Sequence, residues 1–313
     1  MSIQSSDTIL MIRPASFGFN TETADNNVFQ REDHTTARQA IISASQIEYD
    51  YLVMKLRAEG VKVISIADTA NPPKTDAVFS NNWISTHADG SLLLYPMFSK
   101  VRRLERRDDI VKRLALDYDL TIDESLLRHE AQGKYLESTG SMILDRDHKI
   151  IYACLSVRTH ADLLNELGEK LGYEVVAFDA TDGDGIPYYH TNVIMTLGQH
   201  IAIICTECIA NQDQKNLVIE KLKSTGKQII DISRAQVLAY AGNMLEVHGH
   251  DKQPLLVMSK SAFSSLSKDQ LHIINNHNKI VYCDIPTIEK LGGGSVRCMM
   301  TEVFLSKKTQ ENS

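Results

Sequence analysis

Val193-Ile194-Met195-Thr196-Leu197 and Ile201-Ala202-Ile203-Ile204-Cys205 are two short apolar runs, and the link between them opens with Gly198-Gln199. Runs of this length joined so tightly read as a hairpin. A helix-like stretch follows near Lys215 to Lys223, Gly226 stops it, and Ile229-Ile230-Asp231-Ile232 closes the unit with another β-run. The order is strand, strand, helix, strand. Working outward, the same order recurs on both sides.

Toward the N-terminus, Met142-Ile143-Leu144 and Ile150 to Cys154 precede a helix from Ala161 to Leu171, then Gly172 and Tyr173 to Phe178. Before that, Ala77-Val78-Phe79 and Leu92 to Tyr95, linked across Asp89-Gly90, precede a charged helix from Arg103 to Leu116. The first cycle holds Ile9 to Arg13, an amphipathic stretch from Ala40 to Leu56, the stop Gly60, and Val61 to Ile66. A fifth begins at Leu255 to Met258, has a short helix near Lys268 to Asn275, and ends in strands at Lys279 to Cys283 and Met299 to Leu305. Five units in 313 residues give about 63 residues each, long for a solenoid repeat but right for a blade of radial architecture. The reading is α/β, one domain over 1–313, with the blade ends gathered around a centre.

Composition narrows the function. The chain is 43% hydrophobic, enough for a core, and carries a formal charge of −7, which argues against a nucleic-acid partner. Arg102-Arg103 and Arg106-Arg107 alternate with acids and read as a solvated helix face. No apolar run suits a bilayer span and no basic-then-apolar leader opens the sequence, so no membrane association is expected. The five cysteines are an odd number, which fits a reduced, cytoplasmic setting. Cys205 and Cys208 have metal spacing but no second pair, and Asp182-Gly183-Asp184-Gly185 lacks the closing glutamate of a calcium loop. Neither a metal nor a cofactor is expected.

One cysteine stands apart. Cys298 follows Gly292-Gly293-Gly294, where the backbone can approach a ligand closely, and sits beside Arg297. A buried thiol before a final strand is the competing reading. A nucleophile needs a base, and the base an orienting group. His190, between a glycine-rich loop and a strand, is the best placed of eleven histidines; His87, His160, His200, His248 and His250 read as surface. Glu137, at the mouth of a strand, is the best acid.

The ordered set Leu136-Glu137…Gly140, His190-Thr191-Asn192 and Gly292-Gly293-Gly294…Cys298 resembles the guanidino-group-modifying enzymes: arginine deiminases, dimethylarginine hydrolases and amidinotransferases. The opening Arg13 to Asn20, with Phe29-Gln30, resembles the citrulline-utilisation hydrolase branch. The resemblance implies a five-bladed αβ-propeller (pentein) with pseudo-five-fold repeats of about 60 residues. It implies Cys298 as nucleophile, His190 as general acid/base, Glu137 as the carboxylate on the histidine, and Arg158 as the group taking a substrate carboxylate. Met97, Arg102 and Glu105 resemble a second family element at the substrate.

Two positions depart from the deiminase and amidinotransferase pattern. Where those enzymes grip a guanidinium with aspartates, this chain has Asn192 and, on the second blade, Asn82, with Asn81 an alternative. A guanidinium has only donors, whereas a ureido group has an acceptor oxygen that an amide NH2 can satisfy. The expectation is hydrolysis of citrulline to ornithine, ammonia and carbon dioxide. The competing expectations are an arginine deiminase or dimethylarginine hydrolase, and a non-enzymatic propeller binding protein. The partner is a small amino-acid substrate; a homo-oligomer is left open. So are substrate contacts by Asp76, Asp179 or Arg297, and a lid role for the loop Phe17 to Phe29.

Overall fold

A computed structural model describes residues 4–309. β1 (Thr8–Arg13) and β2 (Lys62–Ala67) pair in parallel across the helix Arg38–Ala58. β3 (Ile84–Thr86) turns back antiparallel into β4 (Ser91–Leu94), and β4 pairs in parallel with β5 (Thr121–Asp123). The same two-step pattern builds β6 (Ile143–Asp145), β7 (Ile150–Cys154) and β8 (Glu174–Phe178). It recurs in β9 (Met195–Leu197), β10 (Ile201–Ile204) and β11 (Gln228–Asp231), and in β12 (Leu245–His248), β13 (Pro254–Ser259) and β14 (Lys279–Cys283). Finally β15 (Thr301–Glu302) adds antiparallel to β1. The result is five three-stranded sheets of one topology.

Each middle strand lies between an antiparallel neighbour and a parallel strand reached through a helix, so both of its edges are paired. β7 and β10 are buried at every residue, the continuous apolar pattern of doubly covered strands. In the first crossover helix the buried positions Ile41, Ser45, Tyr49, Leu52 and Leu56 recur every three or four residues, one stripe facing the sheet. Gly60 ends that segment at φ +88, and His250 occupies the space its Cβ would take, 2.6 Å away.

Several expectations change here. Ala77-Val78-Phe79 is a buried turn leading to a short 3-10 turn, and the strand of that unit is β3. β5 and β12 carry weak apolar signals and were not expected; β12 contains Glu246, which bonds to the Ser5 hydroxyl. The charged helix divides into Lys100–Arg103 and Asp108–Asp117. Its arginines are no solvated face: Arg102 is buried, and Arg106 pairs with the part-buried Glu130. His87 is buried rather than on the surface. Cys205 precedes and Cys208 closes a short 3-10 turn after β10; both are buried and neither lies within a strand. No helix among the described residues is long and apolar enough to cross a membrane, and none of their side chains form a metal-binding group.

Candidate active site

The short strands β3, β6, β9, β12 and β15 are each entered through a tight turn, and the residue three places before the strand is Asn81, Gly140, Asn192, Gly242 and Cys298 respectively. The turns bond to one another. The Thr139 hydroxyl donates to the Asn81 carbonyl at 3.2 Å, and Asn243 Nδ2 donates to the Asn192 carbonyl at 2.9 Å. Residues far apart in sequence thus meet around one buried cavity. It is lined by Asp76, Asn82, Arg102, Arg158, His190 and Cys298, among others.

Within it, Glu137 and His190 form the central pair. Glu137 Oε2 lies 2.8 Å from His190 Nε2, and Oε1 accepts the Phe98 amide at 3.0 Å. Burial alone would raise the Glu137 pKa, but Arg158 at 3.6 Å, His190, and Arg102 at 3.9 Å hold it at about 2. Burial drives His190 the other way, to about 4, against the pull of Glu137. Near neutral pH the carboxylate is charged and the imidazole neutral. Nε2–H therefore donates to Glu137, and Nδ1 keeps its lone pair. Gly140 lets this ring come close: a Cβ there would fall 2.8 Å from His190 Nδ1 and 2.2 Å from Asn82 Nδ2.

The thiol has neutral neighbours. Cys298 Sγ receives Asn192 Nδ2 at 3.3 Å and Asn243 Nδ2 at 3.2 Å. Asn243 is fixed in that orientation because its Oδ1 accepts the Arg297 amide at 3.1 Å. The Arg297 guanidinium turns away, to the Met300 carbonyl at 2.9 Å and Glu302 at 3.2 Å. The expected cation beside the thiol is therefore an amide pair. Asn243 escaped the sequence reading because β12 did. The signal was Gly242-Asn243 ahead of an apolar pair, the same turn that precedes the other short strands.

Charges gather on the opposite wall. Arg102 donates to both Glu105 oxygens, at 2.9 and 3.0 Å, and to Asn82 Oδ1 at 2.8 Å. Burial opposes its charge, yet Glu105 and Asp76 raise its pKa. With Oδ1 held by a cation, Asn82 presents Nδ2, a buried donor without a partner. Asp76 Oδ2 accepts Asn20 at 2.6 Å while Oδ1 has no partner; burial raises its pKa against Arg102. Asn81 is fully buried, but it is Asn82 that lines the cavity. Asp179 is exposed and bonds to Gln214, so it takes no part.

Residues 17–31 lie across the opening. Asn26 Oδ1 accepts from Arg158 Nε at 2.9 Å, and Asn27 donates to the Gly292 and Gly293 carbonyls, both at 3.4 Å. Arg158 also stacks over Tyr189 at 4.7 Å. The glycine run is approached by the chain itself: a Cβ on Gly293 would fall 2.6 Å from Asn27, and one on Gly292 2.5 Å from Phe79. The space remaining is about 10 Å³, room for one water molecule.

Comparison with known proteins fits this geometry. The family model described as N,N dimethylarginine dimethylhydrolase, eukaryotic, matches residues 13–305. No curated protein matches the chain. Among solved structures, the substrate-bound N-terminal domain of ArgZ, an arginine dihydrolase from the ornithine–ammonia cycle in cyanobacteria, aligns with a TM-score of 0.70 at 14% identity, over 95% of this chain and 99% of that one. Unliganded AgrE aligns at 0.71 and 18%, over 95% of this chain and 39% of its own. A dimethylarginine dimethylaminohydrolase carrying an S-methyl-L-thiocitrulline adduct aligns at 0.60 and 14%, over 95% and 99%. At these identities the structural likeness concerns the fold.

Proposed function

We propose that this chain, which belongs to the N,N dimethylarginine dimethylhydrolase family, is a cysteine-dependent hydrolase that cleaves the ureido group of citrulline. The whole of 1–313 acts as one catalytic domain, and its five sheets close into an αβ-propeller, a reading supported by the pairing of β15 with β1. Residues 17–31 withdraw to admit the amino acid, because the cavity beneath them holds no more than a water. The substrate carboxylate then takes the place of Asn26 Oδ1 on Arg158. The free Asp76 oxygen takes the ammonium group.

Cys298 attacks the ureido carbon, its thiol proton passing to the His190 Nδ1 lone pair. The carbonyl oxygen gains the electron pair, and donors facing it stabilise that charge. Collapse of the tetrahedral centre breaks one C–N bond, and His190 returns its proton to the departing amine. Water, deprotonated by His190, attacks the resulting thiocarbamate and releases the thiol. The carbamate left behind falls to carbon dioxide and the second amine. One water is consumed and one ornithine, one ammonia and one carbon dioxide result.

The observation that carries the ureido reading is Asn82. Its Oδ1 is held by Arg102, so it offers the cavity an N–H donor. A ureido oxygen accepts that donor; a guanidinium meets it with another donor. Asn192 Oδ1, also without a partner, suits a ureido N–H. The test is incubation with L-citrulline and, separately, L-arginine, with Cys298→Ser as control. Ornithine formed from citrulline and absent in the variant is the expected result; citrulline accumulating from arginine overturns it.

The guanidine reading has one observation in its favour. Asp76 Oδ1 is an unpartnered buried carboxylate oxygen, and the named relatives act on arginine derivatives. The double change Asn82→Asp with Asn192→Asp separates the two, since it should weaken citrulline turnover and create guanidine affinity. A binding protein without catalysis has no use for a charged glutamate on a neutral histidine beside a thiol.

A further inference from the structure

Four arginines in this fold are at least 95% buried: Arg102, Arg146, Arg158 and Arg297. Three have an anionic partner. Arg102 meets Glu105 at 2.9 Å, Arg158 meets Glu137 at 3.6 Å and Arg297 meets Glu302 at 3.2 Å. Arg146 does not. Among the described residues no carboxylate lies within 4.0 Å of its guanidinium, and the Phe304 ring lies 3.9 Å from the guanidinium carbon, with Tyr173 lining the same cavity. A buried cation without a counter-charge is costly, and a fold that keeps one has a reason to do so.

The surroundings supply the reason. Arg146 follows β6 in the β6–β7 turn, beside the β3–β4 hairpin that carries His87 and Asp89. Both hairpins leave their short strands at the end away from the catalytic turns. Between them is a cavity of about 200 Å³ that Arg146 lines together with His87, Lys149, Tyr173 and Phe304. Asp145, next in sequence, is already taken up by His148 at 2.9 Å and Lys227 at 3.6 Å. Asp89 is bonded by the Ser91 amide and hydroxyl at 2.9 and 2.6 Å. His87 shares a hydrogen bond with Ser85 at 2.9 Å, and burial together with Arg146 keeps it neutral. The pocket therefore holds a buried guanidinium and an exposed lysine against one exposed carboxylate, Asp89, hydrogen-bonded through a single oxygen, in a chain of net charge −7.

We propose that Arg146 anchors a second binding site, at the hairpin end of the second and third sheets, for a small carboxylate- or phosphate-bearing anion. Stacking on Phe304 occupies a face of the guanidinium and leaves its in-plane N–H edges for a planar fork of oxygens. The volume suits a small metabolite and is below that of drug-sized pockets. The site is independent of the substrate at Cys298.

The experiment is calorimetric titration of the free protein at fixed ionic strength with inorganic phosphate and, in a second arm, with succinate. Saturable binding of at least one is expected, and which one binds identifies the oxyanion class. Arg146→Met should weaken it about tenfold or more, and Lys149→Glu by less. No saturable binding of either anion, or the same affinity in Arg146→Met, overturns the proposal. Should Arg146→Met fail to fold, Lys149→Glu decides: unchanged affinity overturns it, and weakened affinity upholds it.

Discussion

The two walls of the catalytic cavity are built on opposite principles. Around Cys298 the polar groups are neutral carboxamides, Asn192 and Asn243 on the sulfur with Asn82 facing in. Around Glu137 they are ionisable side chains: Arg158, Arg102, Glu105 and Asp76, all buried. A charged wall fixes the direction of bonds strongly and binds the ionic ends of an amino acid. A neutral wall leaves the reacting group to be chosen by donor and acceptor pattern. Binding strength and chemical choice are thus separated within one cavity, and each wall can be disturbed without removing the other.

The largest disturbance falls on the charged wall. Glu137→Gln removes the anion that holds the His190 tautomer, and kcat should drop by about 10²–10⁴, read by steady-state ornithine release. Recovery of full activity at any pH would show that the imidazole needs no carboxylate. Gly140→Ala follows, because its Cβ would strike Asn82 and His190 at 2.2 and 2.8 Å. About 10–10²-fold loss of kcat is expected from misplaced groups, with a lowered unfolding temperature from the overpacked cavity.

Asn243→Ala touches the neutral wall alone. Iodoacetamide labelling of Cys298 at fixed pH should slow about tenfold if the lost amide bond is worth about 1.4 kcal/mol to the thiolate. An unchanged labelling rate would make Asn243 a packing residue. The smallest effect concerns acid. His190 binds its proton less readily folded than unfolded, so stability falls as pH drops from 6.5 toward 4; Glu137 adds a loss between 4.5 and about 2. Chemical denaturation at pH 7 and pH 5 should show lower stability at pH 5, and Glu137→Gln with His190→Gln should flatten that slope.

The repeat was legible because its middle strands and crossover helices are driven by burial. Ile150–Cys154 and Ala161–Leu171 stand where the apolar pattern puts them. The short strands are less so. β12 reads Leu-Glu-Val-His, and its buried Glu246 is satisfied by Ser5, Gln199 and Asn278, partners too distant in sequence to foresee. The site divides the same way. Cys298, His190, Glu137, Asn82, Asn192, Arg158 and Arg102 do surround one cavity or bond directly to its lining. Asn243 and the orientation of Asn82 depend on contacts across sheets, and only the folded chain supplies those.

The pairing of β15 with β1 also has a consequence in time. The ribosome delivers Glu137 and His190 well before Cys298, and the turn bearing the thiol is then held by Asn243, through the Arg297 amide, and by the strand after it, which pairs with one laid down at Thr8–Arg13. During synthesis, then, the emerging polypeptide carries the proposed base and carboxylate before the proposed nucleophile. The proposed machinery is complete only when that last sheet closes, so a chain stalled before Thr301 lacks the strand that ties the thiol-bearing turn to the N-terminal sheet.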